Sequence, residues 1–564
     1  MNAMNARSDI GDVGAVPPED VTPKHALQQG EQTDAQTPSR SYTGLLFDQP
    51  NGKLARAASP PTCFADLNLD QVVAAIIQGY AEYDLAPFFF TPLHDAVSVR
   101  YRQNILHDFE REAVFACITA FAGQMREMRQ RSAQTRKLHN QRQREWWLLH
   151  AVKLYHDAVS ALASGLAATP DELSAGLQTF NHYLTTYCAS ATFARLATET
   201  DALLEDLASV RYCVHIQGPR VTVSAYTDAA DYSAEVTRTF ARFQQGAVKD
   251  YRVKLSAWPE LDGVEARTLE IVAQRLYPEV FHALADYYAR HQDYLDTTIA
   301  QFDREAHFYL AYLAYIKPLR ATGLPFCSPD IAVGARDISV RDTFDLALAS
   351  KLVASATPVV TNDVALNDPE RIIVVTGPNQ GGKTTFARAI GQLNYLASLG
   401  LLIPGRAARL ALPDQIFTHF EREEDPAALQ GKLEDELVRI HAILTQATGA
   451  SFIIMNESFS STTLQDALLI GERVLRRIIA LDALCVYITF MDELASLDQH
   501  IVSMVSAVVP ENTALRTFKI TRQPANGLAY AEALAVRYGL TYEALRQRIA
   551  SASDDESEPE ASAR

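Results

Sequence analysis

The chain has 564 residues, of which 48% are apolar and 21% are charged. This composition is close to that of ordinary globular proteins, so it excludes global disorder, a collagen-like fold and a coiled coil as the whole structure. The net charge of −17 disfavours a protein coated in positive charge, but it is compatible with a local basic face. At about 150 residues per domain, the length suggests about three or four domains.

The cysteines indicate the cellular location of the protein, and the composition of the two ends of the chain predicts disorder there. Six cysteines are too sparse for a disulfide scaffold and lack metal-ligand spacing, so we expect a reducing, cytoplasmic location. Residues 1–60 are polar and rich in Pro, Gly and Gln, which predicts a disordered N-terminal segment. Residues 553–564 predict an acidic disordered tail. No apolar run of about 18 residues occurs, so no membrane span is expected.

Residues 61–330 have mainly the apolar spacing of helices. The stretches 112–149 and 266–315 hold few Gly or Pro residues, which predicts two unusually long helices. A small β-hairpin is predicted over 210–226, because two β-rich runs flank a Gly-Pro turn. The hairpin is either a structural element or a small clamp-like contact. The region is therefore predicted to be all-α, with long helices and one hairpin.

The pattern changes near residues 325–329. Beyond them, short β-rich runs alternate with helices, which is typical of an α/β domain with a largely parallel sheet. We place this predicted domain at 335–552.

A glycine-rich loop within this domain indicates phosphate binding. A β-branched strand at 371–376 leads into G-x-x-x-x-G-K-[ST], and a helix follows from Phe386. The glycines let backbone N–H groups converge on phosphate oxygens, and the helix N-terminus adds partial positive charge. Lys383 is expected near the β- and γ-phosphates, and Thr384 is a candidate Mg²⁺ ligand. The candidate ATP-binding residues are Gly377, Pro378, Asn379, Gln380, Gly381, Gly382, Lys383, Thr384 and Thr385.

A second strand, at 452–455, ends in Asn456 and Glu457. P-loop ATPases usually carry an acidic pair at this point, and the first acid belongs to the Mg²⁺ shell. Asn456 can accept a hydrogen bond from metal-bound water, but it brings no negative charge, so the attraction for Mg²⁺ is weaker. Glu457 is the candidate general base. We therefore predict Thr384 and Asn456 as the metal-site residues and Glu457 as the catalytic residue.

Residues 359–549 resemble the ATPase domain of the MutS family, the DNA mismatch-repair clamps within the ABC-type ATPases. The resemblance lies in the Gly-Pro-Asn and Gly-Gly-Lys of the P-loop, in Met455-Asn456-Glu457, and in the stretches 461–466 and 489–494. Upstream, the stretches 64–70 and 101–103 look like the start of the helical core in MutS-like proteins.

The resemblance implies a multidomain fold with a helical core and lever over 61–330, followed by an ABC-type P-loop ATPase domain. It also implies ATP and Mg²⁺ as cofactors and a homodimer that forms through the ATPase domain with two composite nucleotide sites. ATP would drive rearrangement of the helical arms around DNA, in DNA repair or recombination.

Departures from the family pattern bear on hydrolysis more than on binding. Asn456 replaces the usual Asp, and Phe490 stands where the family has His. Gly431-Lys432 falls where MutS proteins carry the Ser-Thr that reaches the partner's nucleotide. The alternative function is therefore a nucleotide-binding scaffold with little or no hydrolysis. The long helices and the Gly-Pro-Asn loop disfavour a small-molecule phosphotransferase.

The polar stretch before the helical core is too short for the mismatch-reading domain, so we expect that domain to be missing.

Seven cationic side chains and one acidic side chain lie between residues 126 and 144. One interpretation is a helix that meets DNA phosphates, with binding that weakens as salt rises. The other is a solvated helix face or an intramolecular partner for acidic helices. The candidate DNA-binding residues are Arg136, Lys137, Arg142 and Arg144.

Overall fold

The computed structural model describes most of the chain between residues 42 and 555. The described ranges, apart from a few isolated positions between them, are 42–47, 57–169, 173–227, 263–332, 336–421, 431–509, 512–525 and 538–555. The predicted disorder of 1–41, 48–56 and 556–564 lies outside the described residues.

Helices dominate the chain up to residue 321. They are α1 Cys63–Asp66, α2 Leu69–Ile77, α3 Ala86–Phe89, α4 Ala96–Glu110, α5 Glu112–Thr135, α6 Gln141–Ala167, α7 Ala175–Cys188, α8 Ala191–Ser209, α9 Gly263–Ile271, α10 Pro278–Arg290 and α11 Thr297–Ala321. A 3₁₀ turn, Ala81–Tyr83, precedes α3, and a π-helical turn, Val272–Leu276, follows α9. The prediction of a mainly helical first region is confirmed.

The two long helices predicted at 112–149 and 266–315 are wrong in length, because local start signals divide each stretch. Asn140 begins α6, and its side chain accepts a hydrogen bond from the backbone N–H of Gln143. Pro278 occupies the first turn of α10, where its missing N–H costs nothing. Asp296 begins α11 by accepting from the N–H groups of Thr298 and Ile299.

The central helix of this region is α11, which is buried on most of its circumference. Such a helix must satisfy its polar side chains internally. The carboxylate of Asp303 binds the guanidinium of Arg129 on α5 at 2.8 Å, so α5 and α11 are joined by an ion pair whose acidic partner is buried. Burial raises the pKa of Asp303 to about 6, and the nearby charge of Arg129 opposes that shift.

One short piece of the predicted disordered segment 1–60 is part of the core. Residues 42–47 pack against α4 and α11, and both Leu45 and Leu46 are 0% exposed. The prediction is therefore wrong for this segment, whose two leucines and flanking aromatic residues fill a groove between the helices.

The hairpin predicted at 210–226 is present. Strands β1 Tyr212–Gln217 and β2 Arg220–Ala225 pair antiparallel across Gly218 and Pro219. Most of its side chains are exposed, including Ile216 at 75%.

The chain beyond residue 325 is mixed helix and sheet, as predicted. Its strands are β3 Phe326–Cys327, β4 Asp330–Ala332, β5 Ile338–Thr343, β6 Asn362–Leu366, β7 Ile372–Thr376, β8 Ile403–Pro404, β9 Ala407–Ala411, β10 Ile416–Phe420, β11 Phe452–Asn456, β12 Leu484–Ile488, β13 Ile501–Val509 and β14 Asn512–Arg522. Its helices are α12 Leu346–Ala354, α13 Lys383–Ser398, α14 Lys432–Gln446, α15 Leu464–Leu481 and α16 Tyr542–Asp555. Because α16 extends to Asp555, the disordered tail predicted from 553 begins too early.

The main sheet has the strand order β10-β11-β12-β7-β13-β14. All neighbouring pairs are parallel except β13 with β14, which are antiparallel. One apolar cluster covers one face and continues into the helical region, and a second cluster packs α14 and α15 on the other face. A parallel sheet covered on both faces places its functional residues at the carboxyl ends of its strands. A smaller sheet has the order β4-β9-β5-β6.

Within the part of the chain that the structure describes, no helix is long and apolar enough to cross a membrane.

Candidate nucleotide-binding site

The glycine-rich loop follows the central strand β7, whose residues are all buried. Its backbone enters the left-handed region at Gly377, Gln380 and Gly382, with φ values of 115°, 59° and 91°. Space also requires glycine in the loop. A Cβ at Gly381 would lie 2.2 Å from the hydroxyl oxygen of Ser506 on β13, which donates to the Gly381 carbonyl at 2.7 Å. The neighbouring strand therefore fixes the shape of the loop.

Lys383 is the first residue of α13, and its ammonium group folds back into the loop. Its Nζ donates to the carbonyl oxygens of Gly377 at 2.8 Å and Pro378 at 3.2 Å, and it lies 3.4 Å from the side-chain oxygen of Asn379. The side chain is buried, and burial lowers its pKa, while the carboxylate of Glu457 opposes that shift. The loop thus encloses one positive charge at its centre.

The first turn of α13 meets the end of β11. Thr384, in the first turn of α13, donates its hydroxyl to the side-chain oxygen of Asn456 at the end of β11, at 2.9 Å. Glu457 follows in the left-handed conformation, with a φ of 51°, and its N–H donates to the carbonyl of Ile488 at 2.9 Å. Backbone strain of this kind concentrates at functional sites. A hydroxyl, an amide oxygen and a carboxylate are therefore brought together beside the loop.

A cavity of about 460 Å³ opens over this arrangement. Glu457 and the second half of the loop line one part of it, from Gln380 to Thr385. The remaining wall is largely apolar and comes from the residues between β5 and α12, from α12 and from the stretch before β6; it includes Phe344, Leu348, Leu352, Pro358, Val359 and Val360. The cavity therefore combines a cationic, N–H-rich end with an apolar end.

The structure adds residues that the sequence analysis did not identify, all on β14 or in contact with it. The guanidinium Nε of Arg516 donates to the carbonyl of Asn379 in the loop at 3.3 Å. Phe518 lines the cavity with a left-handed backbone, at a φ of 59°. The amide side chain of Asn362 binds the carbonyl of Phe518 and the N–H of Ile520, which fixes that conformation. No motif marks β14, because its contact with the loop depends on the strand order.

Lys432 and Phe490, two of the positions that depart from the family pattern, differ in their contacts and exposure. Lys432 forms a 2.6 Å ion pair with Glu421, which lowers the pKa of that carboxyl. Phe490 is half-exposed, at 51%. The nearby Glu436 is buried and accepts from the N–H of Phe459 at 3.0 Å, and burial raises its pKa.

The cationic side chains of the basic segment 126–144 differ in their ion pairs and in their exposure. Arg142 binds the buried carboxylate of Glu145 at 3.0 Å and also approaches Glu270. Arg126, Arg129 and Arg131 bind Glu82, Asp303 and Glu127. Arg144 is half-buried, whereas Arg136 and Lys137 are exposed where α5 ends. The intramolecular interpretation therefore fits Arg142, and the exposed pair is the part of the segment best placed to meet another molecule.

In the described ranges, no group of three or more His, Cys, Asp and Glu side chains is arranged to hold a metal ion. Thr384 and Asn456 would offer a different donor set, a hydroxyl and an amide oxygen.

Comparisons with known proteins agree on the C-terminal part of the chain. The family model of MutS domain V matches residues 373–541. The DNA mismatch repair protein MutS of Zymomonas mobilis is 34% identical over 151 residues, covering 27% of this chain and 17% of that protein. The protein of the same name from Thermotoga maritima is 30% identical over 141 residues, covering 25% and 18%. That from Rickettsia bellii is 28% identical over 253 residues, covering 43% and 27%.

The matched parts thus span 17% to 27% of the length of these relatives. The family model begins inside β7 and includes the whole P-loop and the end of β11. The predicted resemblance to the MutS family is therefore confirmed for the C-terminal part of the chain, where residues 373–541 match the model of MutS domain V.

Proposed function

We propose that this chain is a MutS-related protein that binds ATP with Mg²⁺ and uses ATP binding and hydrolysis to switch a dimeric clamp on DNA, in DNA repair or recombination. The observation that carries the proposal is the P-loop, with Lys383 enclosed in it and Thr384 beside Asn456, inside the stretch that matches the model of MutS domain V. The printed names of the relatives describe DNA mismatch repair. Domain V would be the ABC-type ATPase domain, at 335–552, and 61–330 the core and lever.

The cavity has the chemistry of a nucleotide site. Loop N–H groups, the N-terminus of α13 and the ammonium of Lys383 suit a triphosphate. The apolar wall that includes Leu348 and Val359 suits a nucleobase. All nine candidate ATP-binding residues belong to this arrangement: Gly377, Pro378 and Asn379 surround the Lys383 ammonium, and Gln380 to Thr385 line the cavity.

The oxygen atoms beside the loop fit a Mg²⁺ ion. Mg²⁺ prefers oxygen ligands and keeps several waters. The hydroxyl of Thr384 would bind it directly, and the amide oxygen of Asn456 would accept from a metal-bound water. When bound, Mg²⁺ neutralises phosphate charge. Glu457, which lines the cavity, would orient and deprotonate the attacking water.

The second candidate is a nucleotide-binding scaffold in which ATP only shifts a conformational equilibrium. Asn456 favours it, because the strand end that faces Thr384 presents an amide and not a carboxylate. Multiple-turnover phosphate release separates the two, measured alone and with duplex, branched and single-stranded DNA. Turnover that DNA stimulates supports the clamp ATPase, and ATP binding without turnover supports the scaffold.

We infer that the chain forms a homodimer in the cytoplasm through its ATPase domain. Apolar side chains on α14 and α15 support this inference, since Val438, Leu464 and Leu469 are each 50% exposed or more. Light scattering during gel filtration, with and without ATP, measures the molar mass and so tests whether the chain is a dimer.

Gly381→Ala is expected to weaken ATP binding about tenfold or more, because the new methyl group meets Ser506 and overpacking costs about 1 to 3 kcal/mol. Gly123→Ala is the matched control, since Gly123 lies within α5 with open space around its Cα. That control should leave ATP binding unchanged and raise stability by about 0.5 to 1 kcal/mol. Equal ATP affinity in Gly381→Ala and wild type, measured by calorimetry, would contradict the assignment of the loop.

DNA binding should depend on the exposed cations of the basic segment. If Arg136, Lys137, Arg142 and Arg144 all met phosphates, neutralising them would flatten the salt slope by about 3 to 4 units. Arg142 is paired with Glu145, so we assign the phosphate contacts to the exposed pair. The double variant Arg136→Ala with Lys137→Ala should therefore flatten the salt slope by about 2 units. Affinity should fall about equally for all DNA sequences, since phosphate contacts carry no base information.

Fluorescence anisotropy at several salt concentrations measures this slope. The control is Arg195→Ala with Arg275→Ala, two exposed cations elsewhere in the helical region. An unchanged slope in the Arg136 and Lys137 variant would return the whole segment to an intramolecular role.

A further inference from the structure

Residues 42–47, Tyr-Thr-Gly-Leu-Leu-Phe, lie in a groove between α4 and α11. We call this stretch the docked segment. It does not form a helix or a strand, so its backbone groups cannot be satisfied by regular secondary structure. Its central residues are nevertheless fully buried. Its main chain must therefore be satisfied by side chains of the groove.

The groove binds four successive carbonyl groups and one N–H group of the docked segment. The contacts are Gln301 Nε2 to Thr43 O at 3.0 Å, Tyr101 OH to Gly44 O at 2.6 Å, Tyr309 OH to Leu45 O at 3.0 Å, Arg102 Nε to Leu46 O at 3.0 Å, and Leu45 N to Glu305 Oε2 at 2.5 Å. All five of these side chains come from α4 and α11. Such an array recognises an extended peptide by its backbone, as peptide-binding grooves do.

The groove is also selective for shape. Gly44 has a φ of 146°, and a Cβ there would lie 2.8 Å from the carboxylate oxygen of Glu305. Leu45 and Leu46 fill the apolar part of the groove completely. Arg102 is itself 0% exposed, and burial lowers its pKa to about 10. Without the docked segment, Glu305 and Arg102 would lose backbone partners in a buried setting, which is costly for charged groups.

We propose that the groove between α4 and α11 is a peptide-binding site whose ligand is the chain's own segment 42–47, recognised through its backbone, with glycine at its third position and leucine at its fourth and fifth. The site is separate from the nucleotide cavity, so this proposal does not depend on the proposed function.

A side chain of the groove also contacts the end of the P-loop helix. The guanidinium of Arg102 binds the docked segment through Nε and the carbonyl of Leu399, directly after α13, through Nη1 at 3.1 Å. Gly400 leaves room for this arginine, because a Cβ there would lie 2.5 Å from the Arg102 Cβ. One buried cation therefore contacts both the ligand of the groove and the C-terminal end of α13.

Cutting the chain between the docked segment and α1 tests the proposal. A protease recognition sequence is placed within 48–56 of the full-length protein, which is purified and then cut. Before the cut, the covalent connection keeps the segment at a high effective concentration; after it, only the contacts with the groove retain the fragment. We expect the N-terminal fragment to co-elute with the rest of the protein in gel filtration at low micromolar concentration, and to be displaced by excess synthetic peptide 42–47.

Variants keep the test specific. Gly44→Val should make retention about 10- to 100-fold weaker, because it adds backbone strain and a clash with Glu305. Lys317→Gln, which changes an exposed residue of the same helix, should leave retention unchanged. Immediate loss of the wild-type fragment after the cut would overturn the proposal, as would equal retention of the Gly44→Val fragment. Neither outcome bears on ATP binding.

Discussion

Lys383→Ala is expected to lower ATP affinity about 10- to 100-fold. The ammonium is enclosed by the loop and buried, so in the proposed site it would be the positive charge at the centre of the phosphate-binding loop. Hydrogen bonds to charged groups contribute about 1.5 to 3 kcal/mol, and each 1.4 kcal/mol is about tenfold in affinity. Calorimetric titration with ATP and Mg²⁺ measures the loss.

Lys351→Ala is the control for this variant. Lys351 lies on α12 and contacts Gln71, and it is exposed, so its removal should leave ATP affinity unchanged. A thermal melt of both variants shows whether either has lost its fold. If Lys383→Ala bound ATP as tightly as wild type, the assignment of the P-loop as a nucleotide site would be wrong.

The candidate site was predictable where a motif and its neighbouring strand lie in a fixed relation. The spacing of the P-loop after β7 predicts the strand, loop and helix, and the contact of Thr384 with Asn456 follows from two strand ends at one edge of a sheet. The contacts of Ser506 and Arg516 with the loop were not predictable in this way. They depend on β13 lying next to β7 and on β14 pairing with β13, and strand order is not a local property of the sequence.

In the fold too, features set by neighbouring residues could be predicted from the sequence, and features set by residues distant in the sequence could not. The alternation of strands and helices beyond residue 325 is read from local periodicity. The helix lengths predicted from the scarcity of Gly and Pro are too long, because start signals at Asn140, Pro278 and Asp296 divide the two stretches. The burial of the docked segment is not a local property of the sequence, because it depends on α4 and α11. Gln301, which binds it, lies 258 residues beyond Thr43.

Asn456→Asp is expected to raise Mg²⁺ affinity about tenfold and to increase ATP turnover. Asn456 is buried at the end of β11 and already accepts from the Thr384 hydroxyl, so the substitution adds a negative charge without changing the size of the side chain. A carboxylate at this point attracts Mg²⁺, and about 1.4 kcal/mol of added attraction gives a tenfold change. The dependence of phosphate release on Mg²⁺ concentration measures both effects.

Combining this change with Glu457→Gln identifies the source of any gained turnover. If Glu457 is the general base, the double variant should keep the higher Mg²⁺ affinity and lose the turnover, because an amide cannot take a proton from water. Two results would count against this account. Turnover that survives in the double variant would exclude Glu457 as the base. A loss of activity in Asn456→Asp with an unchanged melting temperature would mean that the uncharged amide is adapted to this site, since the new carboxylate lies beside Glu457 and adds repulsion there.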